Sequence, residues 1–181
     1  IYVHESGAKI VPGSISMKNF EDIRLEDLKH HLPKLKSDVV ILDGAAGLDR
    51  EAEAAIKLSD EVLVVANPEL PAVAAALKTI RLAQRHGKKI TGVLLTRAGH
   101  DLDLKVKNVE TILEHPVIGI IPEDHHVKRA MIKKEPVVHI FPHAPSSVAY
   151  QRLAAYLTGH EYEVDQPSKL TNFVKWAMGF R

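Results

Sequence analysis

Asp43 ends an apolar run of Val39, Val40, Ile41 and Leu42, and Gly44, Ala45, Ala46 and Gly47 follow at once. A carboxylate delivered from a strand end can hold the water shell of a magnesium ion. A glycine turn beside it can offer a backbone N–H to a phosphate. Three more apolar runs end in polar residues: 62–66 in Asn67, Pro68 and Glu69, 90–95 in Thr96 and Arg97, and 117–121 in Pro122, Glu123 and Asp124. In an open α/β sheet, ligands lie in the crevice outside the carboxyl ends of the strands, so four such ends would face one place. Each taken singly is equally a turn or a cap, where Asp, Asn and Pro are common for local reasons. Asp43 with its small-residue turn reads as one half of a nucleotide site. The other half, a glycine-rich phosphate loop with its lysine, is not among these residues.

The elements that must position these residues alternate. The four apolar runs, 39–42, 62–66, 90–95 and 117–121, read as strands buried on both faces, and 8–11 as a shorter one. Between them, 50–58 is rich in Ala and Glu, 71–84 starts on Pro71 and stops at Gly87, and 105–113 is amphipathic, so all three read as helices. Residues 24–35 carry leucines at helical spacing, although Pro33 must kink or shorten that helix. Further helices are expected over 127–133 and 146–157, and one more short strand over 137–140. This order predicts an α/β fold: a doubly wound, mainly parallel sheet with helices on both faces, joined by right-handed crossovers.

At 181 residues the chain can bury one sizeable core. Its net charge of +1 makes no general electrostatic claim on nucleic acid. The absence of cysteine removes disulfides, Fe–S clusters, thiolate zinc sites and thiol catalysis, and fits a reducing compartment. No run approaches the length of a membrane span, and no signal peptide is visible. The first residue is Ile1, already inside a strand-like run, so a fragment or processed piece is expected.

Four motifs occur in order: DVVILDGAAGLD, SDEVLVVANPELPAV, GVLLTRAG and IGIIPEDHHVKRAM with KKEPV behind it. In order and spacing they resemble the MinD branch of the MinD/ParA deviant-Walker P-loop ATPases, over residues 1–157. The resemblance implies that Asp43 holds magnesium through water at the start of switch II and that Gly47 senses the γ-phosphate. It implies that Thr96 and Arg97 recognise the adenine region, that Pro122, Glu123 and Asp124 flank the base, and that Asn67, Pro68 and Glu69 lie near a dimer surface. Three departures stand out. Ala45 occupies a position where many members have proline, and Ile132, Lys133 and Lys134 stand where the family often has Asn-x-Gly. The Gly-Gly-x-Gly-Lys-Thr loop and the switch I aspartate are absent from these residues, so the polypeptide alone is expected neither to hydrolyse ATP nor to bind it tightly.

Residues 159–168 carry Glu161, Glu163 and Asp165 and read as an acidic linker after a domain of residues 1–158. On a helical wheel of 169–181, Leu170, Phe173, Val174, Trp176, Ala177 and Phe180 share one broad face, and Lys169, Lys175 and Arg181 add positive charge. Such a helix suits the plane of an anionic membrane interface, and equally a dock on its own domain or a partner. The resemblance favours the membrane, because MinD proteins carry a C-terminal helix of this kind. Dimerisation would then supply a second anchor. The paired histidines His30-His31 and His125-His126 are expected to point apart and to be solvated. Pro142 spoils any helical ligand pair of His139 and His143.

The resemblance implies a protein that binds ATP or ADP with Mg²⁺ and forms a homodimer. It would sit reversibly on the cytoplasmic face of the cell membrane and answer to an activator or inhibitor of division, with no nucleic-acid partner. Two alternatives stay open. One is a scaffold or dimerisation module without a P-loop, and the other is a flagellar-number or partitioning ATPase of the same superfamily.

Overall fold

The computed structural model describes residues 1–12, 25–44, 47–101 and 103–162. The chain divides into two compact units, Ile1–Asp43 and Gly44–Arg181. In the first, β1 (Tyr2–Val3) and β2 (Lys9–Ile10) pair antiparallel, with Tyr2 opposite Ile10. Gly7 adopts φ +83° in the turn, and its N–H donates to the His4 carbonyl at 2.8 Å.

Two expectations change in this unit. The leucine-spaced segment forms two 3₁₀ helices, Leu25–His30 and Leu32–Lys34, in place of one α-helix. Pro33 has no N–H to give and crowds the carbonyl four residues back, so an α-helical ladder cannot run through it. The run 39–42, expected as a buried strand, pairs with no described strand, and Val39, Val40 and Ile41 are 59%, 44% and 86% exposed. A strand is made by its neighbours' hydrogen bonds, and without them three of these four apolar residues stay exposed, while Leu42 is half-buried.

The second unit holds a parallel sheet in the order β3 (Glu61–Ala66), β4 (Lys89–Ala98), β5 (Val117–Pro122). Each parallel step needs a crossover, and α2 (Leu70–Arg85) and α3 (Val106–Leu113) provide them. Side chains alternate across the sheet. Val64, Ala66, Val93 and Leu95 meet Val73, Ala76 and Ile80 of α2 and Val109 and Leu113 of α3 on one face. Leu94 and Ile121 meet Leu153 of α6 (Pro145–Thr158) on the other. Helices therefore cover both faces, as a doubly wound sheet requires. The helix α1 (Arg50–Leu58) is capped by Asp49, whose carboxylate accepts the Ala52 N–H at 2.9 Å, and it buries Ala52 and Ile56.

After β5 come α4 (His125–Lys133) and the one-turn α5 (Val137–Ile140). The second of these was expected as a strand. Pro136 precedes it with φ −63° and Pro142 follows Phe141, so the four residues between form a single turn. Residues 163–181, which include most of the expected linker and the whole amphipathic helix, lie outside the described residues.

Candidate functional site

The three parallel strands deliver their polar ends to one edge. Beyond β3, Asn67 is half-buried and Pro68 fully buried. The Pro68 carbonyl accepts the Leu104 N–H at 2.8 Å, which ties the β3 end to the loop before α3. Near the end of β4, Thr96 donates its hydroxyl to Asn67 Oδ1 at 3.1 Å. The next residue, Arg97, has φ +55°, a left-handed conformation that a non-glycine residue holds only when its surroundings fix it. Two contacts bind this bend to the end of β5. Arg97 Nε donates to Glu123 Oε2 at 3.1 Å, and the Glu123 N–H donates to the Ala98 carbonyl at 2.8 Å. Asp103 closes the loop after β4 by accepting the N–H groups of Gly99 and His100 at 2.7 and 2.9 Å.

Asp124 is buried and serves as the N-cap of α4. One oxygen accepts the His126 N–H at 2.9 Å and lies 2.7 Å from His126 Nδ1. The other accepts the Ser146 N–H at 3.1 Å and its hydroxyl at 2.8 Å. Burial alone would raise this carboxyl's pKa. The hydrogen bonds from His126 and Ser146 outweigh burial and hold it at about 2, so the group is an anion at any ordinary pH. Both oxygens are thus engaged within the protein, and Asp124 contributes position to the edge while the exposed Arg97 and the half-buried Glu123 present polar groups there.

The structure therefore brings Thr96, Arg97, Pro122, Glu123 and Asp124 together, with Asn67 joined to them. Asp43 is exposed at the end of the first unit. Gly47 belongs to the second unit, is exposed and has φ +112°, a conformation that suits glycine. Ala45 and Ala46, between them, lie outside the described residues, as do Lys169, Leu170, Phe173, Val174, Lys175, Trp176, Ala177 and Phe180. Sequence reasoning missed Ser146 and Asp103. Pro145 at the first position of α6 was the available signal for Ser146, because it marks a helix start whose N–H groups need an acceptor.

His125 and His126, expected to point apart, stack with ring centroids 4.0 Å apart. His126 also packs on Phe141 at 4.8 Å and so is half-buried rather than solvated.

A parallel sheet covered on both faces, with linked polar loops outside the carboxyl ends of its strands, defines the doubly wound α/β class that takes ligands at that edge. Comparison with known proteins narrows the class. Residues 10–131 match the family model described as "AAA domain". An uncharacterized ATP-binding protein of Methanocaldococcus jannaschii is 35% identical over 177 residues, covering 96% of this chain and 67% of that protein. The cell division ATPase MinD of Pyrococcus furiosus superposes with a TM-score of 0.76 at 26% identity, over 82% of this chain and 64% of that one. The septum site-determining protein MinD of Pyrococcus horikoshii, solved as a complex with Mg-ADP, has the same fold. Its TM-score is 0.75 at 23% identity, over 90% of this chain and 64% of that one. The chain belongs to the MinD/ParA-like P-loop ATPase family. It spans about two thirds of the length of these relatives.

Proposed function

We propose that this chain forms the magnesium-switch and base-binding part of a MinD-like ATPase. The whole protein would bind ATP with Mg²⁺, form a homodimer around it and associate reversibly with an anionic membrane surface on its cytoplasmic face. It would thereby place the division site, under the control of an activator or inhibitor protein. The observation that carries this reading is the linked edge of the parallel sheet, where Asn67 meets Thr96 and Arg97 meets Glu123. A base needs such a preformed rim of polar groups, because a ligand recovers its binding energy only where little ordering remains to be done. The Pyrococcus horikoshii relative's complex with Mg-ADP supports the choice of ligand. In this reading Asp43 orients the water shell of magnesium and Gly47 reports the γ-phosphate. Thr96 and Arg97 meet the adenine, and Pro122 and Glu123 flank it in the position that Asp124 holds. The tail 169–181 supplies the membrane contact.

The test uses the natural polypeptide that contains these residues, assayed for Mg-dependent ATP hydrolysis and for equilibrium ATP binding. Asp43→Ala is expected to lower kcat at least about tenfold, because it removes a group that acts through the metal. Arg97→Ala is expected to weaken ATP binding more than it slows turnover. Hydrolysis that survives Asp43→Ala at the wild-type rate would refute the assignment. For residues 1–181 by themselves, titration calorimetry is expected to show no tight Mg-ATP binding, and micromolar affinity would overturn that part.

A further inference from the structure

Two histidines at the start of α4 share one carboxylate oxygen. His126 Nδ1 lies 2.7 Å from Asp124 Oδ1, and His125 Nδ1 lies 3.9 Å from the same atom. All three donor atoms fall within 4.8 Å of one another. Neighbouring residues on a helix normally aim their side chains about 100° apart. Here the two imidazoles stack at 4.0 Å with an interplanar angle of 35°, and their Nδ1 atoms converge.

We infer that Asp124, His125 and His126 form a binding site for a divalent transition-metal ion of the zinc, cobalt or nickel kind. Two imidazole nitrogens and one carboxylate oxygen match the preference of those ions, whereas magnesium and calcium take oxygen ligands. The site is therefore chemically separate from the magnesium assigned to Asp43. A tetrahedral ion with bonds of about 2.0–2.1 Å places its donors roughly 3.3 Å apart. The observed separations of 2.7 and 3.9 Å lie on either side of that value. Each histidine nitrogen thus stands within about 0.6 Å of that spacing from Asp124 Oδ1.

The surroundings already hold two of the three ligands. Ser146 fixes the second carboxylate oxygen through its N–H and its hydroxyl. Phe141 packs on the His126 ring. Outer contacts of this kind orient metal ligands and raise their affinity. His125 completes the set from the solvent side, with its side chain 73% exposed, so water can fill the remaining positions. On binding, the proton that His126 Nδ1 shares with Asp124 Oδ1 moves to Nε2, so that the imidazole stays neutral and the Nδ1 and Oδ1 lone pairs both face the metal. Opposing charge sets the strength. The amino end of α4 is electropositive, and Lys128 on the same helix stands 3.9 Å from Glu123. Arg129 and Lys133 lie over the Phe141 ring at 5.1 and 5.9 Å. Three ligands, one of them solvent-exposed, hold an ion less tightly than a closed four-ligand zinc centre, so an affinity on the order of micromolar is expected.

The experiment is calorimetric titration of the chelator-stripped full chain with zinc chloride, paralleled by visible absorption with cobalt chloride. One micromolar site is expected. His125→Ala removes an exposed side chain that the fold does not use, and it is expected to weaken that site at least about tenfold with unchanged circular dichroism. His125→Asp replaces the lost donor and is expected to recover part of the affinity. Because the chain has eleven histidines, the double variant His30→Ala/His31→Ala serves as the control and is expected to bind as the wild type does. Zinc affinity unchanged by His125→Ala, or lost in the His30/His31 control, or no site tighter than millimolar, overturns the proposal.

Discussion

Asp124 and Ser146, 22 positions apart in the chain, close the amino ends of two helices with a single carboxylate. One oxygen of Asp124 caps α4, and the other takes both the N–H and the hydroxyl of Ser146 in the first turn of α6. Ser146 is fully buried, so its N–H finds no water to replace this acceptor.

Removal of this carboxylate is expected to be costly. Asp124→Ala would leave a buried N–H and hydroxyl without partners and lose the α4 cap, a loss of about 3 kcal/mol. Ser146→Ala keeps the N–H contact and loses one hydrogen bond to an ionised group, about 1.5–2 kcal/mol. Urea denaturation of the two variants checks both values, and an Asp124→Ala protein within half a kcal/mol of wild type, on the order of a surface change, would count against the staple.

The same group sets an acid limit. Its folded pKa of about 2 lies below the ordinary 3.8, so the folded state binds its proton less readily than the unfolded chain does. Its contribution, about 2 kcal/mol, is therefore complete above pH 4 and falls away as pH drops toward about 2. Stability measured between those limits, in chelator-containing buffer, should decline for the wild type. Asp124→Asn should show a shallower decline over the same interval.

Two glycines in the sheet should respond differently to a methyl group. At Gly92, φ is +155° and an added Cβ would stand 2.5 Å from Ile118 Cγ2 and 2.9 Å from Ile118 Cγ1. At Gly119 the nearest atoms are the flexible ends of Leu94 and Leu153, at 2.9 and 3.2 Å. Gly92→Ala is expected to cost about 2–3 kcal/mol, because the branched carbons of Ile118 sit close to the backbone. Gly119→Ala should cost roughly 1 kcal/mol. Thermal or urea midpoints in the reverse order would show that Ile118 gives way more readily than Leu94 and Leu153 do.

Membrane association can be examined without nucleotide. Liposomes rich in anionic lipid should co-sediment residues 1–181, and the same chain ending at residue 168 should stay in the supernatant. Salt should weaken the pelleting, since Lys169, Lys175 and Arg181 supply a screened attraction. Equal pelleting of both forms would remove the tail from the reading.

Much of the second unit was legible from local pattern. The runs ending at Asn67, Thr96-Arg97 and Pro122 are the strands β3, β4 and β5, because a continuous apolar stretch between helices has no other way to be buried. Residues 137–140 show the limit: their apolar composition suits a strand, yet two prolines close in sequence allow only one helical turn. The polar edge was legible as a set of residues but not as a set of contacts. Nothing in the sequence pairs Arg97 with Glu123, or commits both oxygens of Asp124 to helix ends.

Residue types and their order alone determined that there is a parallel sheet, where its strands end and which polar groups stand there, since those features depend on hydrophobic period and turn chemistry within a few positions. Tertiary structure alone decided which of those groups remain available. One oxygen of Asp124 is taken by Ser146, His125 and His126 converge instead of diverging, and residues 39–41 lie exposed despite their composition. The physical reason is common to all three. A hydrogen-bond partner, a packed ring or a neighbouring strand comes from a different segment or from a local bend, and no nearest-neighbour pattern encodes whether it is there.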